Sequence, residues 1–208
     1  MIDLYTWQAP NGQKVSIMLE ETGLSYTVHP VNLQQQEQAA PDFLALNPFG
    51  KIPVIVDDDG PNGQKVRLNE SAAILIYLAE KAKSPLWPTD PATRYSILQW
   101  LMVHVAGMAP TAGYVNAFLY KTEKHHPFAV GFVLADIKRH YGQINRRLGE
   151  SRFLGGPDYS IADIATYPFV TRHERHKIDL GEFPNIRNWL DRVSARPAVG
   201  RGMNVPGK

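Results

Sequence analysis

Apolar and polar positions alternate along Ile2–Thr6 and again along Tyr26–Val31, the period of two expected of a half-buried strand. Between them, Val15-Ser16-Ile17-Met18-Leu19-Glu20-Glu21 shifts to helical spacing and stops at Gly23. Asn11-Gly12 precedes that helix and puts Asn11 at or near its N-cap. A short helix around Asp42–Leu46 ends at Asn47-Pro48. Two further strands, Val54–Val56 and Val66–Leu68, flank Asp58-Asp59-Gly60-Pro61-Asn62-Gly63, whose turn residues predict a hairpin. A helix over Ser71–Lys83 closes the pattern. The order β-α-β-α-β-β-α over residues 1–83 predicts an α/β, thioredoxin-like domain whose first three strands are not all parallel.

Three prolines in Ser84–Pro91 interrupt the pattern and mark 84–91 as a linker. Everything after it reads as helix: Ala92–Tyr120, Phe128–Leu148, Ile161–Arg175 and Ile186–Ser194. Residues 92–208 are therefore expected to form an all-α C-terminal domain. Within it, Ser160 with Asp163 three residues on forms a capping box ahead of an apolar face. Helix nucleation explains that pair without any catalytic role.

Composition narrows the function classes. No apolar stretch approaches the roughly 18 residues that span a bilayer, and the start lacks a basic and apolar leader, so a cytoplasmic protein is expected. Residues 1–85 hold 6 Lys+Arg against 10 Asp+Glu, whereas residues 86–208 hold 16 against 10. The basic residues of the second half are scattered among acids, which fits solvated helix faces rather than a nucleic-acid surface. Cysteine is absent, which removes disulfides, thiolate metal sites and a cysteine nucleophile. Any thiol chemistry must use a ligand's sulfur. His125-His126 lacks further ligands at metal spacing, so no metal is expected.

Two blocks carry the chemistry. In Asn47–Val54, N-P-F-G-K-I-P-V, a strand is entered through Ile52-Pro53, a good candidate for a cis bond. In Asn69–Leu75, N-E-S-A-A-I-L, Glu70 and Ser71 stand at a helix start, beside backbone N–H groups that no helical carbonyl reaches. A strand edge beside a helix N-terminus suits a small peptide bearing a carboxylate. Both blocks resemble the glutathione site of cytosolic glutathione transferases, and the resemblance spans the chain, from thioredoxin-like domain through proline linker to helical domain with its capping box. Ala9-Pro10-Asn11-Gly12-Gln13-Lys14, Ser160–Asp163 and Ile178-Asp179-Leu180 look closest to the bacterial Nu class, which also resembles a yeast nitrogen regulator.

The resemblance implies glutathione as co-substrate and assigns residues to it. Ser71 would bind the γ-glutamyl carboxylate at the helix start and Glu70 the ammonium. Ile52, before a cis Pro53, would offer its backbone to the cysteinyl unit as in strand addition. Lys51 and Gln38 would lie near the glycyl end. Asn11 would set backbone N–H groups and its amide against the sulfur, lowering a thiol pKa of about 8.5 when unperturbed. Tyr5 reads as strand packing, and Thr6 is the fallback hydroxyl. Two positions depart from the class: Ala9 stands where relatives carry Thr, and Phe132 where they carry an Arg that reaches toward glutathione across a dimer interface. A phenyl ring cannot replace a guanidinium fork on a carboxylate. His104 is a candidate to compensate, although a His on a packed helix is more often structural. The second-substrate pocket would draw on Trp7, the helix around His104–Tyr114 and the region near Arg172–His176.

The expected function is a glutathione-dependent disulfide-bond oxidoreductase with weaker transferase or peroxidase activity, working on a small disulfide or electrophile as a homodimer. The alternative is a non-catalytic regulatory or assembly module of the same fold.

Overall fold

The computed structural model describes residues 1–123 and 126–207. They fall into two compact units, one of residues 1–87 with 194–208, the other of residues 88–193.

The first unit holds four strands, β1 (Ile2–Thr6), β2 (Tyr26–Pro30), β3 (Val54–Asp57) and β4 (Val66–Asn69), in the sheet order β2-β1-β3-β4. β1 runs parallel to β2 and antiparallel to β3, and β4 is antiparallel to β3. The helices α1 (Pro10–Thr22), α2 (Pro41–Leu46) and α3 (Ser71–Lys81) complete the thioredoxin-like pattern. α1 ends as its sequence predicts, with Gly23 in the left-handed region at φ 68° and its N–H on the Leu19 carbonyl. β3 is buried at all four positions, which is why Val54-Ile55-Val56 is a continuous apolar run rather than an alternating one, with the buried Asp57 at its end. Leu4, Val15, Ile17, Met18, Leu19, Ile55, Ile74 and Leu75 are fully inaccessible and form the centre of this unit.

The last residues come back to this unit. α9 (Pro197–Met203) packs along α1, with Ser16 Oγ donating to the Gly202 carbonyl at 2.7 Å. Arg196 forks onto the Glu21 carboxylate at 2.6 and 2.8 Å. A Cβ at Gly202 would stand 2.5 Å from the Ile17 backbone, so a glycine lets the two helices touch. The expected helical stretch 92–208 contains no pattern that signals this return.

The regular elements described in the second unit are helices: α4 (Pro91–Val103), α5 (Ala109–Tyr120), α6 (Pro127–Glu150), α7 (Ile161–Val170) and α8 (Pro184–Ser194). α4 and α5 fill the expected Ala92–Tyr120 helix, interrupted by one π turn at His104–Met108. Gly107 sits in that turn against His140, and a Cβ there would meet the ring at 2.4 Å. α7 stops at Val170 rather than at Arg175; the chain continues in tight turns to Lys177, which adopts φ 59°. Leu101, Val115, Ile137, Tyr141, Ile164, Trp189 and Val193 make the core.

Candidate active site

The residues assigned to glutathione all lie in the first unit, on four segments. The first is the start of α1. Its N-cap is Ala9, which has no side chain to offer, and Pro10 opens the helix, so Asn11 is the second helical residue. Asn11 is exposed, and the first-turn N–H groups there meet no capping side chain. Trp7 and Ala9 pack against the cluster of Val31, Phe43, Ile52 and Val54, which places the loop before α1 beside the Ile52-Pro53 segment. Gly12 makes the approach to β1 possible: a Cβ would fall 2.3 Å from Thr6 Oγ1 and 2.5 Å from the Trp7 carbonyl oxygen. Thr6 is fully buried under that glycine with its hydroxyl unpaired, so it packs against α1 rather than offering a donor to solvent. Tyr5 stacks on His29 with ring centroids 4.6 Å apart, the packing role expected of it.

The second segment is the loop 47–53. Its Ile52–Pro53 bond is cis. Asn47, buried at 2% exposure, organises it: Nδ2 donates to the Lys51 carbonyl at 2.7 Å, and Oδ1 accepts from Phe49 N–H at 3.2 Å and from Asn69 Nδ2 at 3.0 Å. Lys51 is exposed, Ile52 and Pro53 are buried, and the bonds that order the loop leave the Ile52 backbone out. The third segment is the turn Glu37–Ala39. The Gln38 carbonyl oxygen lies 3.2 Å from where a Cβ would stand on Gly50, which adopts φ 59°. Gln38 therefore borders the loop.

The fourth segment is the start of α3. Glu70 is its N-cap and adopts φ 67°, a left-handed conformation that costs a residue with a Cβ about 1–3 kcal/mol. Glu70 is exposed and makes no capping bond, while Ser71 is buried as the first helical residue. Asn69 precedes them, so its bond to Asn47 ties this helix start to the loop.

Lys14 closes the constellation from beneath. It is 1% exposed, and its Nζ donates to Asn11 Oδ1 at 2.8 Å and to Ser71 Oγ at 3.2 Å. Burial lowers its pKa to about 7, against the opposing pull of the Glu70 carboxylate. Neither Lys14 nor Asn47 stands out in the sequence. Each reads as an ordinary polar residue until the fold shows that it is buried.

The remaining candidates lie in the second unit. His104 is buried with its ring edge-on to Phe169 at 4.8 Å, a packing role. Phe132 is 66% exposed and lines an apolar groove of about 340 Å³ with Tyr114, Phe118, Phe128, Ala129 and Val133. His176 is buried and meets the Tyr141 hydroxyl at 2.9 Å; burial lowers its pKa to about 4. Of the His125-His126 pair, His125 lies outside the described residues. Among the described residues no group of three or more His, Asp or Glu could hold a metal ion.

Residues 9–81 match the family described as the glutathione S-transferase N-terminal domain, and residues 111–197 match its C-terminal domain. A disulfide-bond oxidoreductase of Escherichia coli, YfcG, is 40% identical over 204 residues, covering 98% of this chain and 94% of its own. A Burkholderia graminis glutathione transferase, solved with two glutathione molecules per subunit, superposes with TM-score 0.93 at 41% identity, over 100% of this chain and 89% of that one. One from Pseudomonas putida, solved with one glutathione disulfide per subunit, superposes with TM-score 0.94 at 39% identity, over 99% of this chain and 92% of that one. The chain belongs to the glutathione transferase family, with the resemblance to the bacterial disulfide-reducing branch extending over nearly its whole length.

Proposed function

We propose that this chain is a glutathione-dependent disulfide-bond oxidoreductase, binding glutathione across the starts of α1 and α3 and using its thiolate to reduce small disulfides. The observation that carries the reading is the convergence of Asn11 and Ser71 on the buried Lys14, which joins two uncapped helix starts into one site. In this reading Ser71 and the first-turn N–H groups of α3 take the γ-glutamyl carboxylate, and Glu70 takes the ammonium. The backbone of Ile52 pairs with the cysteinyl unit, and Pro53 shapes that edge. Lys51 and Gln38 face the glycyl carboxylate. The sulfur lies at the start of α1, where the helix terminus and the Asn11 amide favour the thiolate.

The thiolate attacks one sulfur of a small disulfide; a glutathionyl mixed disulfide forms and the other half leaves as a thiolate, which takes up a proton. A second glutathione thiolate then attacks the mixed disulfide, releasing glutathione disulfide and the second thiol. Both electrons come from glutathione, consistent with a chain that has no cysteine. We place the protein in the cytoplasm, where glutathione is kept reduced; no helix among the described residues is long and apolar enough to cross a membrane. The assembly proposed is a homodimer, as the family resemblance implies. Weaker transferase or peroxidase activity would use the same thiolate.

The test compares reduction of a small hydroxyalkyl disulfide by glutathione with conjugation of an aryl halide. Disulfide reduction is expected to dominate, and rapid conjugation with no disulfide reduction overturns the assignment. The exposed Phe132, with Ala9 at the site, favours a second reading as a non-catalytic module of the same fold. Turnover of a small disulfide with glutathione separates the two, since the module reading expects none.

A further inference from the structure

We propose that Lys14 is a positioning residue for this reaction, holding the Asn11 amide and the Ser71 hydroxyl so that the donors of both face the bound tripeptide. The inference rests on the glutathione reading above. Lys14 sits one helical turn after Asn11 and is 1% exposed. An ammonium has three donors and no acceptor. Asn11 must therefore turn its oxygen toward Nζ, and the 2.8 Å contact is to Oδ1. Because the carboxamide is planar, its NH2 is left on the opposite arm, available to a sulfur at the start of α1. Ser71 Oγ accepts from the same ammonium at 3.2 Å, so its own hydrogen points away from Lys14. One buried cation thus sets the direction of a donor at each end of the site.

Charge reinforces the arrangement. Burial works against the ammonium, and the Glu70 carboxylate supports it. Arg196 and Arg201, on or next to α9 along the same helix, are paired with Glu21 and Glu20. A thiolate beside Asn11 and a carboxylate beside Ser71 would each favour the charged form of Lys14, and it would favour them in return.

The test uses Lys14→Met, Asn11→Ala and the double variant, reading the pKa of the bound thiol from thiolate absorbance and the kcat and KM of disulfide reduction. Lys14→Met is expected to raise the bound thiol's pKa by about one unit and to lower kcat roughly tenfold to a hundredfold. In the Asn11→Ala background the same change should move the thiol pKa by less than in wild type, because the part that Lys14 exerts through Asn11 is gone and only its direct charge remains. A Lys14→Met protein that binds glutathione with an unchanged thiol pKa overturns the proposal, as does a full additive shift in the double variant. Wild type that fails to bind glutathione sinks the underlying reading itself. Should Lys14→Met not fold, the wild-type side-chain amide resonances of Asn11 decide: they should shift with pH as Lys14 titrates, and flat resonances overturn the proposal.

Discussion

α7 and α3 both begin at a serine with a carboxylate close by, and the chain uses the two beginnings in opposite ways. At α7 the Asp163 carboxylate is fully buried and accepts from Ser160 N–H and Oγ, both at 3.0 Å, from Leu154 N–H at 3.0 Å and from Trp189 Nε1 at 2.9 Å. Burial pushes its pKa up, and those four donors oppose the shift. At α3 Glu70 is exposed, the backbone turns through it at positive φ, and no side chain caps the first turn. The same residue types thus make one closed helix start and one open one. The difference lies in position: Asp163 is the third helical residue and folds back onto its own N-cap, whereas Glu70 is the N-cap and lies outside the helix. A closed start consumes its donors for stability. An open one keeps them for something else.

The strongest way to break this comparison is Asp163→Ala. It strands several buried donors at once and is expected to cost about 3–5 kcal/mol in urea or thermal unfolding. A loss of less than about 1 kcal/mol would mean that the α7 start is not the anchor described. Next comes Asn11→Ala, which takes one acceptor from the buried Lys14 and is expected to cost about 1–3 kcal/mol of folding stability. Turnover is expected to fall roughly a hundredfold while glutathione binding stays near normal; unchanged turnover removes Asn11 from the mechanism. Ser71→Ala should weaken glutathione binding about tenfold by calorimetry, and an unchanged affinity would close the supposedly open start of α3.

The smallest effect is a slope. Unfolded Lys14 holds its proton up to about pH 10.5 and the folded residue releases it near 7, so between those values the unfolded chain binds more protons and stability rises with pH. The contribution is at most about 1.4 kcal/mol per pH unit. It should appear as the difference between wild-type and Lys14→Met unfolding curves measured from pH 7 to 10, the variant lacking it; parallel curves would show that Lys14 titrates alike in both states.

Much of this was legible locally. Period-two runs located β1 and β2, the apolar run after Pro53 located β3, and Ser160 with Asp163 announced the start of α7 from two residues. The blocks at Asn47–Val54 and Asn69–Leu75 marked one side of the site because their turn and cap residues carry meaning at short range. Other features left no local trace. The π turn at His104–Met108 lies within an unbroken helical pattern, and its packing partner His140 is a whole helix away. α7 ends at Val170, five residues before its helical composition does. Asn47 looked like a residue before a proline, yet its side chain bonds to both the loop and Asn69.

By itself the sequence determined the order of elements, the family and the two blocks proposed to grip a γ-glutamyl peptide, because hydrophobic period, capping and turn chemistry act over a few neighbours. Tertiary structure decided which polar groups are buried and what they meet. Arg196 finds Glu21 across 175 positions, and Lys14 finds Ser71 across 57. Long-range packing alone sets those encounters, since a buried polar side chain must find a hydrogen-bonding partner wherever the fold supplies one. At Lys14 that requirement turned a lysine with no assigned role into the link between two helix starts.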